Sequence, residues 1–318
     1  MNSEKFTNCG TRDVNYLRLS IIDRCNMRCT YCMPEEGFDF LPHTEILTYE
    51  EILHIVRLSV QLGIRKIRLT GGEPLVRKGI ISFLEKLCKI EPLNEITLTT
   101  NGVLLKEYAA DIKASGICRL NISLDSLKAE RFFHITGRNY FDRVWEGIQE
   151  VERLGFNPIK INVVSIKDLN DDEILDFARM TLKKPYHIRF IEFMPVGERN
   201  GWSSEKFIPT EEIYKLIQTL GDLKPINSTP FDGPAQRFVL DGARGEIGFI
   251  GALSNHFCNI CNRLRLTAEG HLRSCLFSDR EIDIKAPLRE GKGDAHLIEL
   301  LRFAIENKPE NHGLVRQM

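Results

Sequence analysis

The chain has 318 residues, of which 42% are hydrophobic, and its formal net charge at pH 7 is −1. This length suggests about two domains, or one barrel with an extension, and the hydrophobic content is ample for a large core. The balanced charge argues against a nucleic-acid partner, and the absence of a long apolar run argues against a membrane partner or a secretory signal. We therefore expect a cytoplasmic protein whose cysteine thiols stay reduced.

Up to residue 195 the sequence alternates between strand and helix patterns, which indicates a parallel sheet with right-handed crossovers. Strands are predicted at 16–22, 64–70, 95–100, 117–123, 158–164 and 186–193. Helices are predicted at 48–62, 80–90, 104–115 and 140–154, and another from residue 170. Beyond residue 195 the pattern changes to one helix near 211–220 and short strand-like pieces, so we place a domain boundary within 196–208.

Five of the six strands are apolar on one face only. The opposite face carries Arg18, Lys66, Arg68 and Lys160, and the less regular sixth strand adds Arg189. Buried parallel strands are usually apolar on both faces, and a complete eight-stranded barrel fills its interior with branched aliphatic side chains. We therefore predict an α/β fold, an incomplete (β/α)6 TIM-like barrel with helices outside and a polar interior.

The predicted interior is strongly cationic. Arg263 and Arg265 lie two residues apart in a strand-like segment, so both side chains point the same way. Burying so many positive charges without compensation would be very costly. We expect either carboxylate partners, with Glu73, Asp125 and Glu192 as candidates, or an anionic ligand. A phosphate ester is favoured, because Arg and Lys suit phosphate oxygens.

Six of the nine cysteines form two triplets, which we call the front triplet (Cys25, Cys29, Cys32) and the back triplet (Cys258, Cys261, Cys275). Three thiolates can hold a four-iron cluster and leave one iron open, whereas structural zinc normally takes four protein ligands. From spacing alone a zinc site stays open as well. Its fourth ligand would come from His43 or His54 at the front, and from His256 or His271 at the back.

Two arginines near the front triplet and the three remaining cysteines support weaker predictions. Arg24 and Arg28 flank the front triplet and are expected to favour ionised thiols. Cys88 and Cys118 lie in apolar stretches and are interpreted as small core residues. Cys9 is assigned no role.

The front triplet, with the aromatic Tyr31 before its last cysteine, resembles the signature of the radical S-adenosylmethionine superfamily. Thr70-Gly-Gly-Glu-Pro74 follows the second strand and resembles the segment that receives the methionine amine. Thr99-Thr-Asn-Gly102 and Ser123-Leu-Asp-Ser126 end the next two strands, where the superfamily holds the rest of the cofactor. Each alone is an ordinary turn or cap pattern, and their succession at strand ends carries the resemblance.

From about Tyr16 to Phe277 the chain is similar to the GTP 3′,8-cyclases of molybdenum cofactor biosynthesis. The most specific feature is the back triplet, whose second cysteine is followed directly by Asn262-Arg-Leu-Arg265. The stretches 13–20, 189–197 and 232–235 support the same resemblance.

The resemblance implies one [4Fe-4S] cluster at each triplet, with the open front iron chelating S-adenosylmethionine and the open back iron facing guanine. It implies that S-adenosylmethionine contacts Tyr31, Gly72, Ser123 and Met194. It implies that GTP contacts Arg18, Arg68, Thr99, Lys160, Arg263 and Arg265, with Lys66 and Arg189 as helpers. No catalytic side chain is expected, because the cofactor carries the chemistry.

The implied enzyme is a lyase that converts GTP to (8S)-3′,8-cyclo-7,8-dihydroguanosine 5′-triphosphate, the first step towards molybdopterin. A 5′-deoxyadenosyl radical would remove the ribose 3′ hydrogen, and the resulting carbon radical would attack C8 of guanine. Residues 1–195 would form the barrel, and residues 196–318 an α+β extension with the second cluster and the substrate-binding arginines. The implied partners are an electron donor and a pterin synthase that acts on the product, with a homodimer as one option.

Two other functions stay open. One is a non-catalytic zinc protein with a nucleotide-binding cavity, which would contain zinc without iron and sulfide. The other is a radical enzyme with an auxiliary cluster that acts on a peptide, although a peptide would not need so many inward arginines.

The end of the chain departs from the family pattern, in which a Gly-Gly tail reaches into the active site. This chain ends Asn-His-Gly-Leu-Val-Arg-Gln-Met318. We expect cluster assembly and GTP binding to survive this change and turnover to be impaired.

Overall fold

The structure is a computed structural model that describes residues 12–32, 40–197, 201–227 and 233–312. Within these ranges the chain forms one mixed sheet of twelve strands with nine α-helices. Cys9, Asp232 and the chain end from residue 313 lie outside the described residues, and so do the expectations that concern them.

The first six strands are parallel and lie side by side in chain order. They are β1 (Tyr16–Ser20), β2 (Lys66–Thr70), β3 (Glu95–Thr100), β4 (Leu120–Ser123), β5 (Ile159–Ser165) and β6 (Tyr186–Glu192). All six were predicted from the sequence, and their ends differ from the prediction by at most a few residues.

Helices connect these strands, as the alternation predicts. They are α1 (Tyr49–Gln61), α2 (Ile80–Cys88), α3 (Leu105–Ala114), α4 (Ala129–Thr136), α5 (Phe141–Arg153) and α6 (Ile174–Lys183). The predicted capping box opens α1, because the Glu51 N–H donates to the Thr48 hydroxyl and the Thr48 N–H donates to the Glu51 carboxylate. Helix α4 was not predicted; it is short and ends at Gly137, whose φ is +63°.

The remainder of the chain adds strands to both ends of this parallel sheet. Its elements are α7 (Thr210–Gln218), β7 (Leu223–Ile226), β8 (Gln236–Leu240), β9 (Glu246–Ile250), β10 (Arg263–Leu266), β11 (His271–Arg273), β12 (Ile282–Asp283), α8 (Lys285–Arg289) and α9 (Asp294–Glu306). Strand β9 pairs in parallel with β6, and β10 pairs in parallel with β1. Beyond them, β8 and β7 at one end and β11 and β12 at the other are antiparallel.

The two faces of the parallel strands differ as predicted. Leu17, Leu19, Ile67 and Leu69 are fully buried and belong to the hydrophobic core that includes the helices. The alternate residues of β1 and β2 face the other way, where Arg18 lies opposite Arg68 in register. Burial of one apolar face therefore holds the sheet to the helices and leaves the other face for polar side chains.

The two isolated cysteines have different surroundings. Cys88 is half-buried and packs against the core, in partial agreement with its assignment, whereas Cys118 is exposed, so its assignment as a core residue was wrong. In the described part of the chain, no helix combines the length and the apolar character needed to cross a bilayer.

A buried carboxylate fastens the end of β6 to two later segments. Glu192 is fully buried and accepts hydrogen bonds from the N–H groups of Thr210 (3.0 Å), Leu253 (2.8 Å) and Ser254 (3.1 Å), and from the Ser254 hydroxyl. Thr210 begins α7, and Leu253 and Ser254 precede the back triplet. Glu192 thus positions the loop that leads to those cysteines.

We predict that Glu192→Ala lowers the free energy of unfolding by about 3 kcal/mol, because it leaves several buried donors without an acceptor. Urea denaturation measures this loss. The matched control is Glu299→Ala on α9, whose side chain is 71% exposed and should leave stability nearly unchanged. Equal stability of the two variants would contradict the role given to Glu192.

Candidate active site

A cavity of about 310 Å³ lies against the polar face of the sheet. Strand residues predicted to face the interior line it: Arg18, Arg68, Thr99, Asn162, Arg189, Arg263 and Arg265. All three cysteines of the back triplet line the same cavity. The fold therefore brings the arginines of four strands to thiols that are more than 200 residues from Arg18, the first of them.

Three of these arginines stand in a row across neighbouring strands, since Arg18 on β1 is in register with Arg265 on β10 and with Arg68 on β2. Among the described residues, no carboxylate forms an ion pair with any of the three. Burial and the nearby guanidinium groups of Arg68 and Arg263 lower the pKa of Arg18 to about 10. Burial, followed by Arg18 and Arg263, likewise lowers the pKa of Arg265. The row therefore carries positive charge that an anionic ligand would stabilise.

The three carboxylates proposed as partners for these arginines accept hydrogen bonds from loop residues instead. Their assignment as arginine partners was therefore wrong. Glu73 accepts hydrogen bonds from the Leu75 and Asn101 N–H groups and from the Thr100 hydroxyl. Asp125 accepts from the Tyr31 hydroxyl and the Val164 N–H, and Glu192 accepts from the loops described above. The physical reason is position. These carboxylates lie at or beyond the carboxyl ends of strands, where loop N–H groups need acceptors, whereas the arginines lie within strands.

The two lysines of the predicted interior do not line the cavity. Lys66 forms an ion pair with Glu95, with 2.9 Å between Nζ and Oε1, and lies 5.0 Å from the centre of the Tyr16 ring. Burial, followed by Arg189 and Arg68, lowers the pKa of Lys160 to about 7. Both lysines lie at or near the amino ends of their strands, away from the strand ends that carry the loops.

Four buried polar atoms of the cavity lining make no hydrogen bond within the described residues. They are Arg18 Nε, Thr99 Oγ1, Asn162 Oδ1 and His312 Nδ1. Buried polar atoms nearly always have a partner, so unsatisfied donors and acceptors around one cavity indicate a polar ligand.

The back triplet is partly ionised by its surroundings. Burial raises the pKa of the Cys261 thiol, but Arg263 and Lys308 outweigh this effect and bring the pKa down to about 6. Burial raises the pKa of Cys258, whose sulfur also accepts a hydrogen bond from the His312 N–H. Thiolates are the form that binds iron, so Cys261 is prepared for a metal.

The front triplet lies in the loop after β1, and α4 holds that loop in place. The Arg28 N–H donates to the Thr136 carbonyl at 2.8 Å, and the Thr30 N–H donates to the Ile135 carbonyl at 2.9 Å. Cys25 Sγ is 3.4 Å from the Met27 nitrogen. The unpredicted helix α4 is therefore part of the framework of the site.

The expectation that arginines ionise the front thiols was wrong in its net outcome, because burial raises the pKa of Cys25 by more than Arg28 lowers it. Burial raises the pKa of all three thiols, and Asp125 adds to the increase at Cys29 and Cys32. Arg24 is engaged with His43, and Arg28 donates to the carbonyls of Cys25 and Met27. The front thiols are thus protonated near neutral pH, so a metal that binds them must displace protons.

Of the four residues predicted to contact S-adenosylmethionine, Tyr31 belongs to this loop and Gly72 packs against it. A Cβ on Gly72 would come within 2.2 Å of the Arg24 carbonyl oxygen, so only glycine fits there. The Tyr31 hydroxyl donates to Asp125 at 2.5 Å, and Ser123 is the last residue of β4. Met194 follows β6 and is the one of the four that lines the 310 Å³ cavity.

The candidate zinc ligands separate into two groups. His54 is 2.8 Å from Asp294, and His271 lies within 3.5 Å of Glu269 and Glu281, so both have carboxylate partners. His256 lines the cavity, and His43 lines a second cavity of about 440 Å³ that also includes Cys25.

Sequence reasoning missed two polar residues that line the cavity beside the back triplet. Asn162, by contrast, lies on the polar face of β5 as the alternation predicts. Lys308 and His312 follow α9 and belong to no motif, so only the folded chain reveals their place beside the back triplet.

Comparison with known proteins agrees with this geometry. The sequence pattern of the Radical SAM superfamily matches residues 19–181, and that of Molybdenum Cofactor Synthesis C matches residues 186–314. The GTP 3′,8-cyclase of Thermodesulfovibrio yellowstonii is 54% identical over 301 residues, which is 94% of this chain and 93% of that protein. This chain belongs to the GTP 3′,8-cyclase family of the radical S-adenosylmethionine superfamily.

A second GTP 3′,8-cyclase, from Pelotomaculum thermopropionicum, is 47% identical over 96% of this chain and 94% of its own length. Streptococcus suis SuiB, solved with S-adenosylmethionine bound, has a TM-score of 0.62 and 16% identity, over 95% of this chain and 67% of SuiB. That likeness shows a shared α/β fold. The family resemblance inferred from the two triplets is confirmed, and with it [4Fe-4S] clusters and S-adenosylmethionine as the cofactors.

The different pKa values within the back triplet predict different thiol reactivity in the metal-free chain. At pH 7 a thiol with a pKa near 6 is roughly 90% ionised, so iodoacetamide should alkylate Cys261 several-fold faster than the similarly half-buried Cys258. Lowering the pH from 7 to 5 should slow the alkylation of Cys261 about tenfold, because its ionised fraction falls to roughly 10%. Peptide mass spectrometry measures both rates, and a faster reaction at Cys258 would contradict the assignment.

Proposed function

We propose that this chain is the GTP 3′,8-cyclase of its organism and converts GTP to (8S)-3′,8-cyclo-7,8-dihydroguanosine 5′-triphosphate in molybdenum cofactor biosynthesis. One observation carries the proposal. A single cavity combines three cysteines with a row of arginines that have no carboxylate partner among the described residues. A nucleoside triphosphate suits such a cavity, because its phosphates would supply the missing negative charge.

In this proposal the arginines bind and orient the substrate. Arg18, Arg68 and Arg265 stand side by side and would hold the triphosphate, and Arg263 and Thr99 would hold the rest of the nucleotide near the back triplet. Lys160, Lys66 and Arg189 would contribute positive charge from the same face. Anchoring at the phosphates would set the distance between ribose and base, which close-range bond formation requires.

Both triplets fit a cluster with an open iron, because each brings three thiols together without a fourth cysteine. The cysteines of the front triplet would hold the cluster that binds S-adenosylmethionine, and those of the back triplet the second cluster. When bound, these groups supply the 5′-deoxyadenosyl radical chemistry. Tyr31, Gly72, Ser123 and Met194 would contact S-adenosylmethionine between the front triplet and the cavity.

The position of the cavity supports an incomplete (β/α)6 TIM-like barrel. Strands β10 and β6 are separated by six strand spacings in the sheet, which is roughly 29 Å if the sheet is flat. Arg265 on β10 and Arg189 on β6 nevertheless line one cavity, which requires a strongly curled sheet. We assign residues 1–195 to this barrel and residues 196–318 to the extension that carries the second cluster. The electron donor, the pterin synthase, a homodimer and a cytoplasmic location stay predictions.

Anaerobic purification followed by iron and sulfide analysis tests the proposal first. We expect iron to approach two four-iron clusters per chain. Incubation with GTP, S-adenosylmethionine and dithionite should then yield detectable cyclised nucleotide and 5′-deoxyadenosine, which tests the reaction type and not its rate. Zinc without iron would instead support the non-catalytic alternative, and 5′-deoxyadenosine formation that depends on a peptide but not on GTP would support the peptide enzyme.

The arginine pair on β10 provides the sharper test. Arg263→Ala combined with Arg265→Ala should weaken GTP binding at least about 100-fold, because each substitution removes a charged donor to phosphate or base. The reductive cleavage of S-adenosylmethionine without substrate should persist, since the front triplet is unaltered. Arg179→Ala on α6 is the control, because that arginine is exposed and pairs with Asp176. GTP affinity that survives the double substitution would overturn the assigned binding site.

A further inference from the structure

Lys308 places a buried ammonium group against the back triplet. It follows α9, its relative exposure is 9%, and it lines the cavity. Its Nζ donates to the Arg263 carbonyl at 2.8 Å and to the Ser274 carbonyl at 2.5 Å, and it also hydrogen-bonds the Cys261 thiol. The two carbonyls belong to segments that carry Cys261 and Cys275, so one side chain joins both halves of the triplet.

Arg12 holds the segment around Lys308 in place. Its guanidinium donates to the Lys308 carbonyl at 3.2 Å, to the Pro309 carbonyl at 3.0 Å and to the Cys258 carbonyl at 2.8 Å. Arg12 thus links the segment after α9 to Cys258, the remaining cysteine of the back triplet. Contacts with the chain segments of all three cysteines therefore fix the position of the Lys308 ammonium group.

The charge on Lys308 needs an explanation, because a neutral donor would satisfy two carbonyls. Within the described residues no carboxylate forms an ion pair with this lysine, and an uncompensated buried ammonium is costly. The negative charge nearest to it is that of the Cys261 thiolate. Hydrogen bonds to cluster sulfurs and nearby charge are two of the factors that set the reduction potential of an iron–sulfur cluster.

We propose that Lys308 is a positioning residue of the back cluster, whose ammonium donates to Cys261 Sγ and raises the reduction potential of that cluster. The inference rests on the proposed function, since it requires a [4Fe-4S] cluster at these cysteines. A positive charge beside the sulfurs favours the more negative, reduced form, so the reduced cluster gains more from Lys308 than the oxidised one.

The test isolates the back cluster in a full-length chain that carries Cys25→Ala, Cys29→Ala and Cys32→Ala. Iron and sulfide analysis establishes whether one four-iron cluster is present. Titration with Ti(III) citrate as the one-electron reductant, followed by electron paramagnetic resonance, then gives the reduction potential of that cluster. Lys308→Gln, Lys308→Arg and Lys285→Gln are compared in this background.

We expect Lys308→Gln to lower the ratio of reduced to oxidised cluster at a fixed potential at least about tenfold, which is about 59 mV for a one-electron couple. Lys308→Arg keeps the charge and should restore most of the potential. Lys285 is the matched control, because it is also a largely buried lysine that donates to a carbonyl, that of Glu45 at 3.0 Å, but it is not among the residues around the back triplet.

The outcomes separate the inference from the proposed function. Absence of iron from the parent chain would refute the second cluster itself. Iron in every variant with an unchanged potential would show that Lys308 only joins two carbonyls, and would overturn the inference. Iron in Lys308→Arg but not in Lys308→Gln would support it, because the charge is what the cluster needs. Loss of iron from both Lys308 variants, with iron kept in Lys285→Gln, would point to side-chain shape and overturn it.

Discussion

The structure depends on one constraint, a row of arginines buried within the strands of a parallel sheet. Arg265, Arg18 and Arg68 are in register on adjacent strands, and the described residues place no carboxylate against them. Like charges at this spacing repel one another, so the apolar face of the same strands must supply the packing that keeps them together. Packing of the apolar face against the helices thus stabilises the fold, and the opposite, polar face can bind an anion.

The buried carboxylates complement this arrangement by lying elsewhere. Glu73, Asp125 and Glu192 each accept loop donors at or beyond the ends of strands, instead of neutralising the arginines. Glu73 stabilises the turn that contains Gly72. Asp125 holds Tyr31 in the loop of the front triplet, and Glu192 holds the loop that leads to the back triplet. Negative charge thus holds loops at the ends of the strands, while the positive charge within the strands faces the cavity.

The two triplets have different electrostatic surroundings although their residue types are the same. Burial and nearby carboxylates keep the front thiols protonated, whereas Arg263 and Lys308 favour ionisation of Cys261 at the back. This contrast follows from the fold, because the front loop faces Asp125 and Glu73 while the back triplet adjoins β10 and the segment after α9. The two triplets therefore start from different charge environments.

By itself the sequence determined the six parallel strands, their polar face, the two triplets and the family, because alternation, turn residues and cysteine spacing are local properties of the chain. It did not determine which carboxylate meets which cation, the helix α4 that anchors the front loop, or the approach of Lys308 and His312 to the back triplet. Those contacts join segments far apart in the chain, such as Arg12 with Lys308 and Cys258. Only the tertiary structure decides them, because they depend on where strand ends and helix ends meet in space.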